Sequence, residues 1–462
     1  MNNFFVILRD SFREAVDGFV IYVMLALSTI MIFLIASISF TPRPAEEALP
    51  GFVKMFVLYI PDKGQSEAMG AVAGTDYAAR EIKRDRNDVK FVLEVTSLKN
   101  PLAGEGDPFR TAVAGWAKKP FKPEKVKLPK GALTGQTGAG NEEAELLMAL
   151  KPEVTAAEAD AVTDAQMEEF LRDQFRAHAS LTSAKVTRLP EPAAGKYAFD
   201  CEVPGALHSR SWPMLMSFFF GAAEIDTAPL GLGLFLIEDQ VVNGIGSAIT
   251  LLISVIITAF FIPNLLRKGA LDLIIAKPIG RVPLLIYKYL GGCTFIFLIA
   301  LYTIGAVWIV IGVRTGHFDP RFLVVIPAVT FTFALLYAFS TLVGVFTRSA
   351  IAAILLTVGF AFFLYIVGAV KSQSDRAKLR EANWAPVAHQ IIDGVNYGLP
   401  RYKDLDKITT KIIAEGTLAP IQMRIVSKVI EFPSWYGTIG LSLGWIALML
   451  ALASWRVQTR DG

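Results

Sequence analysis

The chain is poor in the residues that carry out chemistry. It has two cysteines and four histidines in 462 residues. The histidines (His178, His208, His317 and His389) are scattered, with no H-E-x-x-H and no cysteine pair, so no metal site is expected. Cys201 and Cys293 fall in what reads as an outer domain and a membrane helix, which argues against an intramolecular disulfide. No G-x-x-x-x-G-K-[S/T] occurs: GQTGAG (135–140) lacks the lysine, and AAGKY (193–197) lacks the upstream glycine and the following hydroxyl residue. The chain is therefore expected to carry no P-loop nucleotide site and no cofactor of its own. With no G-x-S-x-G elbow there is no motif for a hydrolase, and the chain is not expected to be an enzyme. The net charge of +3 is spread without a long basic run, which gives no footing for nucleic-acid binding.

Apolar residues are what it has. They make up 53% of the chain, with a mean hydropathy of +0.46, values expected for a polytopic membrane protein. A hydrocarbon core of about 30 Å needs about 20 apolar residues in a helix. Six uncharged runs meet that length: 18–40, 243–263, 289–313, 322–347, 350–370 and 436–455. The first exceeds a signal-peptide core and no clean A-x-A site follows, so it reads as a retained anchor. No Asp, Glu, Lys, Arg or His lies inside the runs, which argues against proton or sodium coupling. Their hydroxyls (Ser254, Thr258, Tyr302, Thr303, Thr330, Thr332, Tyr337, Ser340 and Thr341) are read first as structural and second as a substrate path.

Basic residues suggest the orientation. Arg267, Lys268, Lys277, Arg281 and Lys288 crowd the loop 265–288, Arg348 sits in the turn 346–350, and Arg9, Arg13, Arg456 and Arg460 flank the ends, so both termini are expected in the cytoplasm. The expected organisation is an α-helical polytopic membrane protein of six transmembrane helices, with an α+β extracytoplasmic domain inserted between the first and second. Its parts are an amphipathic interfacial helix at 1–17, the first span at 18–40, the domain at 41–242, four spans at 243–370, an extracytoplasmic segment at 371–435, and the last span and tail at 436–462. In the N-terminal helix Phe4, Leu8, Phe12, Val16 and Phe19 share one side, suited to the membrane lipid surface. The segment 371–435 carries ten Lys and Arg against seven acids, and a cytoplasmic placement is the alternative for it.

Within 41–242, KYAFDCEV (196–203) alternates as a half-buried strand, and VKFVLEV (89–95) and FVKMFVLYI (52–60) read as further strands. Thr155–Glu158 and Thr163–Gln166 are capping boxes that start helices, and PKGALTGQTGAGNEE (129–143) reads as a loop. WPMLMSFFFGAA (212–223) is either a core strand leading into the second span or an apolar surface resting on the membrane or a substrate. PIQMRIVSKVIEF (420–432) has helical spacing and either lies on the membrane or packs on the outer domain.

The most informative stretch is FFIPNLLRKGALDLIIAKPIGRVPLLIYKYLGG (260–292). Pro263 closes one span, a short helix follows over about 266–276, Pro278 stops it, and Gly280 and Pro283 turn the chain back into the membrane. This pattern, LDLIIAKPIGR followed by YKYLGG, resembles the ABC-2 type permeases, the membrane subunits of a class of ATP-driven ABC transporters. Gly269, Leu271, Leu273, Pro278, Ile279 and Arg281 match by position, while Arg267–Lys268 and Ala270 stand where relatives often carry Glu and Thr. The resemblance covers the membrane portion and not the roughly 200-residue outer domain. It implies a bacterial cytoplasmic-membrane exporter subunit that pairs with itself or a similar permease and with a cytoplasmic ABC ATPase. It also implies a coupling helix at 266–281 presenting Lys268, Gly269, Asp272, Lys277, Pro278 and Arg281 to that ATPase. The rival reading is a membrane-anchored sensor or scaffold with an extracytoplasmic binding domain; a secondary transporter is a distant third.

Overall fold

The computed structural model describes residues 7–9, 13, 20–59, 70–71, 74–98, 106–118, 122–124, 149–151, 154–261, 263, 280–379, 386–430 and 432–459. The chain enters as α1 (Val20–Ala36), a helix apolar along its whole length, and passes into β1 (Ser39–Pro42) and α2 (Ala45–Lys54). The strand expected over 52–60 is mostly not one. Ala45, Ala48, Leu49, Phe52 and Val53 are buried at helical spacing, continued by Phe56 in a 3-10 turn, so a 3.6-residue period overrides the β-propensity of the aromatic and branched residues. Only Leu58–Tyr59, β2, is extended, paired with β3 (Gly70–Ala71).

The other expected strand, 89–95, forms. β4 (Thr75–Asp85) and β5 (Asp88–Ser97) pair as a hairpin, followed by α3 (Pro108–Lys118) and the small pair β6 (Lys122–Glu124) and β7 (Ala149–Lys151). Both capping boxes form: the Thr155 amide donates to Glu158 at 2.9 Å at the start of α4 (Ala156–Asp160), and the Thr163 amide to Gln166 at 2.9 Å at the start of α5 (Asp164–Ala179). Next come β8 (Lys185–Arg188) and β9 (Lys196–Val203), giving an antiparallel sheet of order β4-β5-β9-β8. Its register sets Phe91 opposite Cys201, Leu93 opposite Phe199 and Val95 opposite Tyr197, one apolar face that α2, α3 and α5 cover. Phe56 meets Phe175 edge to face at 4.9 Å and Phe109 meets Tyr197 at 5.0 Å, ring arrangements that add to area burial. The loop read at 129–143 lies outside the described residues.

A second sheet joins this region to the membrane helices. β10 (Pro213–Phe218) pairs between β1 and β11 (Ala223–Pro229), and β1 continues directly from α1. Met214 and Met216 are buried and the Trp212 indole donates to the Arg43 carbonyl at 3.1 Å, so the first half of 212–223 is core. Phe219 and Phe220 are not.

From β11 the chain runs into α6 (Leu230–Asn243), breaks at Gly244, and continues as α7 (Ile245–Thr258). α8 (Arg281–Thr315) begins eight residues before the expected third span and takes in Arg281 and Lys288, because Gly280 forms its N-cap and Pro283 is tolerated in the first turn. Lys288 is buried, its ammonium 5.9 Å from the Phe261 ring. α9 (Val325–Thr347) and α10 (Ala350–Leu379) meet at Arg348, in the left-handed conformation at φ 54°. α11 (Pro386–Gly398), α12 (Tyr402–Thr417) and α13 (Pro420–Val429) precede α14 (Trp435–Thr459).

Among the described residues four helices are long and apolar enough to cross a membrane: Arg281–Thr315, Pro320–Thr347, Ala350–Ser374 and Trp435–Thr459. α1 and α7, of 17 and 14 residues, are shorter. The membrane hydroxyls bond both within and between helices. Thr303 bonds Ile299 O in its own helix and Ser28 Oγ of α1, both at 2.8 Å, Thr258 donates to Ser254 O of its own helix at 2.8 Å, and Tyr289 donates to Ala334 O of α9 at 2.8 Å. These are structural bonds of the kind expected in lipid.

The bundle has two distinct ends. At one, Ile7 packs on Leu284, Leu285 on Val345 and Ala453, and Arg456 lies 5.5 Å from the Phe346 ring. At the other sit the α+β region and α11 to α13. α13 packs on α5 of the α+β region, as the second reading of 420–432 expects.

Candidate functional site

Of the residues expected to form the coupling surface, Lys268, Gly269, Asp272, Lys277 and Pro278 lie outside the described residues, as does the helix expected over 266–276. Arg281 is described: it opens α8, and the Leu284 amide bonds back to Gly280 O at 3.2 Å. Described neighbours of this end are Ile7, the α9–α10 turn and the last turns of α14.

Among the described residues, polar side chains converge at the opposite end, where α12 lies on α6. Both helices bury apolar faces there: Leu230, Leu234 and Val242 from α6 meet Ile408, Ile412, Ile413 and Leu418 from α12 and its C-cap, together with Phe322, Val325 and Ile326. Two polar clusters bracket this contact.

The first holds the C-terminal end of α6. The Asn243 amide donates to Asp239 Oδ1 at 2.8 Å and Thr410 Oγ1 at 3.0 Å. The Thr409 hydroxyl donates to Asn243 Oδ1 at 2.9 Å, and that of Thr410 to Asp239 Oδ1 at 2.7 Å. Beside them Lys403 Nζ is 3.2 Å from Asp406 Oδ2 and 4.4 Å from the centre of the Tyr365 ring. Burial pushes the Asp406 carboxyl up to about 6, with Asp239 and Asp404 acting the same way and Lys403 opposing. These groups crown a cavity of about 310 Å³ whose floor is membrane-helix surface: Leu251, Leu252 and Val329 below, Asn243, Lys403 and Asp406 above. The cavity therefore has an apolar side and a charged side.

The second cluster caps α12. Two guanidinium groups take its last carbonyls, Arg321 on Glu415 O at 2.9 Å and Arg210 on Gly416 O, placing positive charge at the negative end of the helix dipole. The Trp308 indole and the Arg321 amide both donate to Asp319, at 2.9 and 3.0 Å. Glu238 of α6 is buried here. Loss of water around it raises its carboxyl to about 8, and Asp319 adds to the rise. His317 is shifted down by burial and then by Arg210.

No functional role attaches to these residues in the sequence reading, where His317 enters only as one of four scattered histidines and Lys403 only through the charge count of 371–435. The acids within LFLIEDQVVNG are the signal that could have pointed here, since charge beside a membrane run is costly unless it is used.

If the first cluster locks α6 to α12, Asn243→Leu keeps the volume and removes the bridge, leaving Asp239 and Thr409 each short of a partner. The expected cost is about 1–3 kcal/mol, read as a lower thermal unfolding midpoint in detergent. An unchanged midpoint would show that apolar contact alone holds the joint.

No protein-family model, no curated protein and no solved structure matches this chain.

Proposed function

We propose that this chain is the membrane-spanning subunit of an ATP-driven exporter of the ABC-2 type. In this reading α1, α7, α8, α9, α10 and α14 are its six spans, and residues 266–281 form a cytoplasmic coupling helix carrying Lys268, Gly269, Asp272, Lys277, Pro278 and Arg281. The subunit pairs with itself or a similar permease, a separate cytoplasmic ABC ATPase hydrolyses the ATP, and the substrate crosses the cytoplasmic membrane of a bacterium. The observation that carries the reading is LDLIIAKPIGR placed between two apolar runs. The sequence reads there as a short helix ending at Pro278 between two apolar runs, and in this proposal force applied to it moves both spans.

The bundle's two ends support the orientation. Arg281, Arg348 and Arg456 share one end with Ile7 and its neighbour Arg9, as cytoplasmic loops and tails do under the positive-inside rule. The α+β region and the helices over 386–430 are then extracytoplasmic.

Replacing Lys277–Arg281 with a Gly/Ser linker tests the assignment. Membrane insertion is expected to survive, because the apolar runs are untouched, and co-purification of an ATPase from membranes is expected to be lost. Retention of the ATPase by the linker variant sinks the coupling role, and recovery of a kinase or protease in its place from the intact chain favours a sensor.

A further inference from the structure

The turn between β10 and β11 is built at evident conformational cost. Phe219, Phe220 and Gly221 all have positive φ, at 51°, 60° and 96°. Glycine adopts such angles freely, whereas in a residue with a Cβ that atom crowds the following carbonyl oxygen. Two consecutive phenylalanines hold them here, and their rings are not used to fill a core: Phe219 is 60% exposed and Phe220 67%.

The turn's place explains what those rings meet. The Phe220 amide donates to Ser37 O at 3.1 Å, pinning the turn to the residue after α1. The Phe220 ring lies 5.7 Å from that of Phe33, in the last turn of α1. Phe33 in turn belongs to a stripe of exposed apolar side chains on that helix, with Tyr22, Val23, Ile30 and Leu34. At the same level Arg314 reaches the Ala36 carbonyl at 2.6 Å, a cation placed where the apolar run stops. Ile225, on β11, is exposed beside the turn.

We propose that Phe219 and Phe220 form a wedge seated in the acyl boundary of the lipid leaflet on the α+β side, anchoring the sheet β1-β10-β11 to the bilayer. The occupant of this patch is lipid because the patch continues the exposed stripe of an apolar membrane helix. A wedge of this kind buries its apolar face about 5–10 Å into the headgroup and acyl region. Its burial there offsets the backbone cost, and it fixes the tilt of the sheet that leads into α6. The inference needs only that α1 lies in the membrane, and it stands or falls separately from the exporter reading.

A diazirine-bearing phenylalanine at position 219 retains the ring and reports its surroundings. The full chain, reconstituted in phosphatidylcholine vesicles, is photolysed and its adducts are identified by mass spectrometry, with the same probe at position 33 as the lipid-facing reference. Phospholipid adducts at 219 are expected in at least roughly a third of the yield found at 33. A smaller yield, with water addition or a cross-link to a second copy in its place, overturns the proposal. Phe220→Ser with the probe kept at 219 is expected to lower the phospholipid yield further, and an unchanged yield would show that the probe alone, and not the wedge, seeks lipid.

Discussion

Gly231→Ala is expected to destabilise the protein by about 3 kcal/mol, read as a fall in the unfolding midpoint in detergent. Gly231 opens α6 beneath the C-terminal end of α12. A methyl group built on it runs into the main-chain carbonyl of Thr417, with the carbonyl of Arg210 at 3.1 Å. Neither obstacle is a flexible side-chain end. The Gly231 amide is itself bonded to Arg210 O, and the Arg210 guanidinium holds Gly416 O, so the clash falls where three segments are tied together. Relief requires α6 and α12 to separate, which opens the apolar contact of Leu230 and Leu234 with Ile413 and Leu418. Gly51→Ala is the control. Gly51 lies in α2 with nothing within 4 Å of an added methyl, so its substitution is expected to stabilise by about 0.5–1 kcal/mol through helix propensity. Equal behaviour of the two variants would refute the close approach.

The second large effect is a pH dependence carried by Glu238. Its carboxyl is raised from 4.5 to about 8 by burial and then by Asp319. Between those values the unfolded chain has lost the proton and the folded one keeps it. The folded state therefore binds more protons, and stability falls as pH rises through this window and levels off above it. At about 1.4 kcal/mol per pH unit the total is roughly 3–5 kcal/mol. Glu238→Gln preserves the shape and cannot ionise. Its unfolding midpoint is expected to be nearly flat from pH 6 to 8.5 and to exceed that of the parent at pH 8.5. Asp406, raised to about 6, contributes a slope of the same sign below that pH in both proteins. Parallel curves for parent and variant would remove Glu238 as the cause.

Much of the helical architecture was legible because it rests on local patterns. Long uncharged runs mark α8, α9, α10 and α14, and two capping boxes mark the starts of α4 and α5 to the residue. Alternation marks β5 and β9. Where two local signals competed, composition misled: the aromatic and branched residues of 52–60 favoured a strand, but the spacing of Leu49, Phe52, Val53 and Phe56 had a full helical face to bury against Phe175 and Trp212. The polar joint was not legible at all. Asn243 and Thr410 are 167 positions apart, and nothing local to either predicts that they meet.

From its residues alone, the chain shows the long apolar runs expected of a membrane protein, an α+β stretch and a basic segment containing Pro278 between two apolar runs, since hydropathy and periodicity act over a turn or a strand at a time. Only the folded structure sets α12 on α6, buries Glu238, and turns Phe219 and Phe220 outward beside Phe33. Those arrangements depend on which surfaces remain to be covered once every helix and strand has formed, and that is a property of the whole packing.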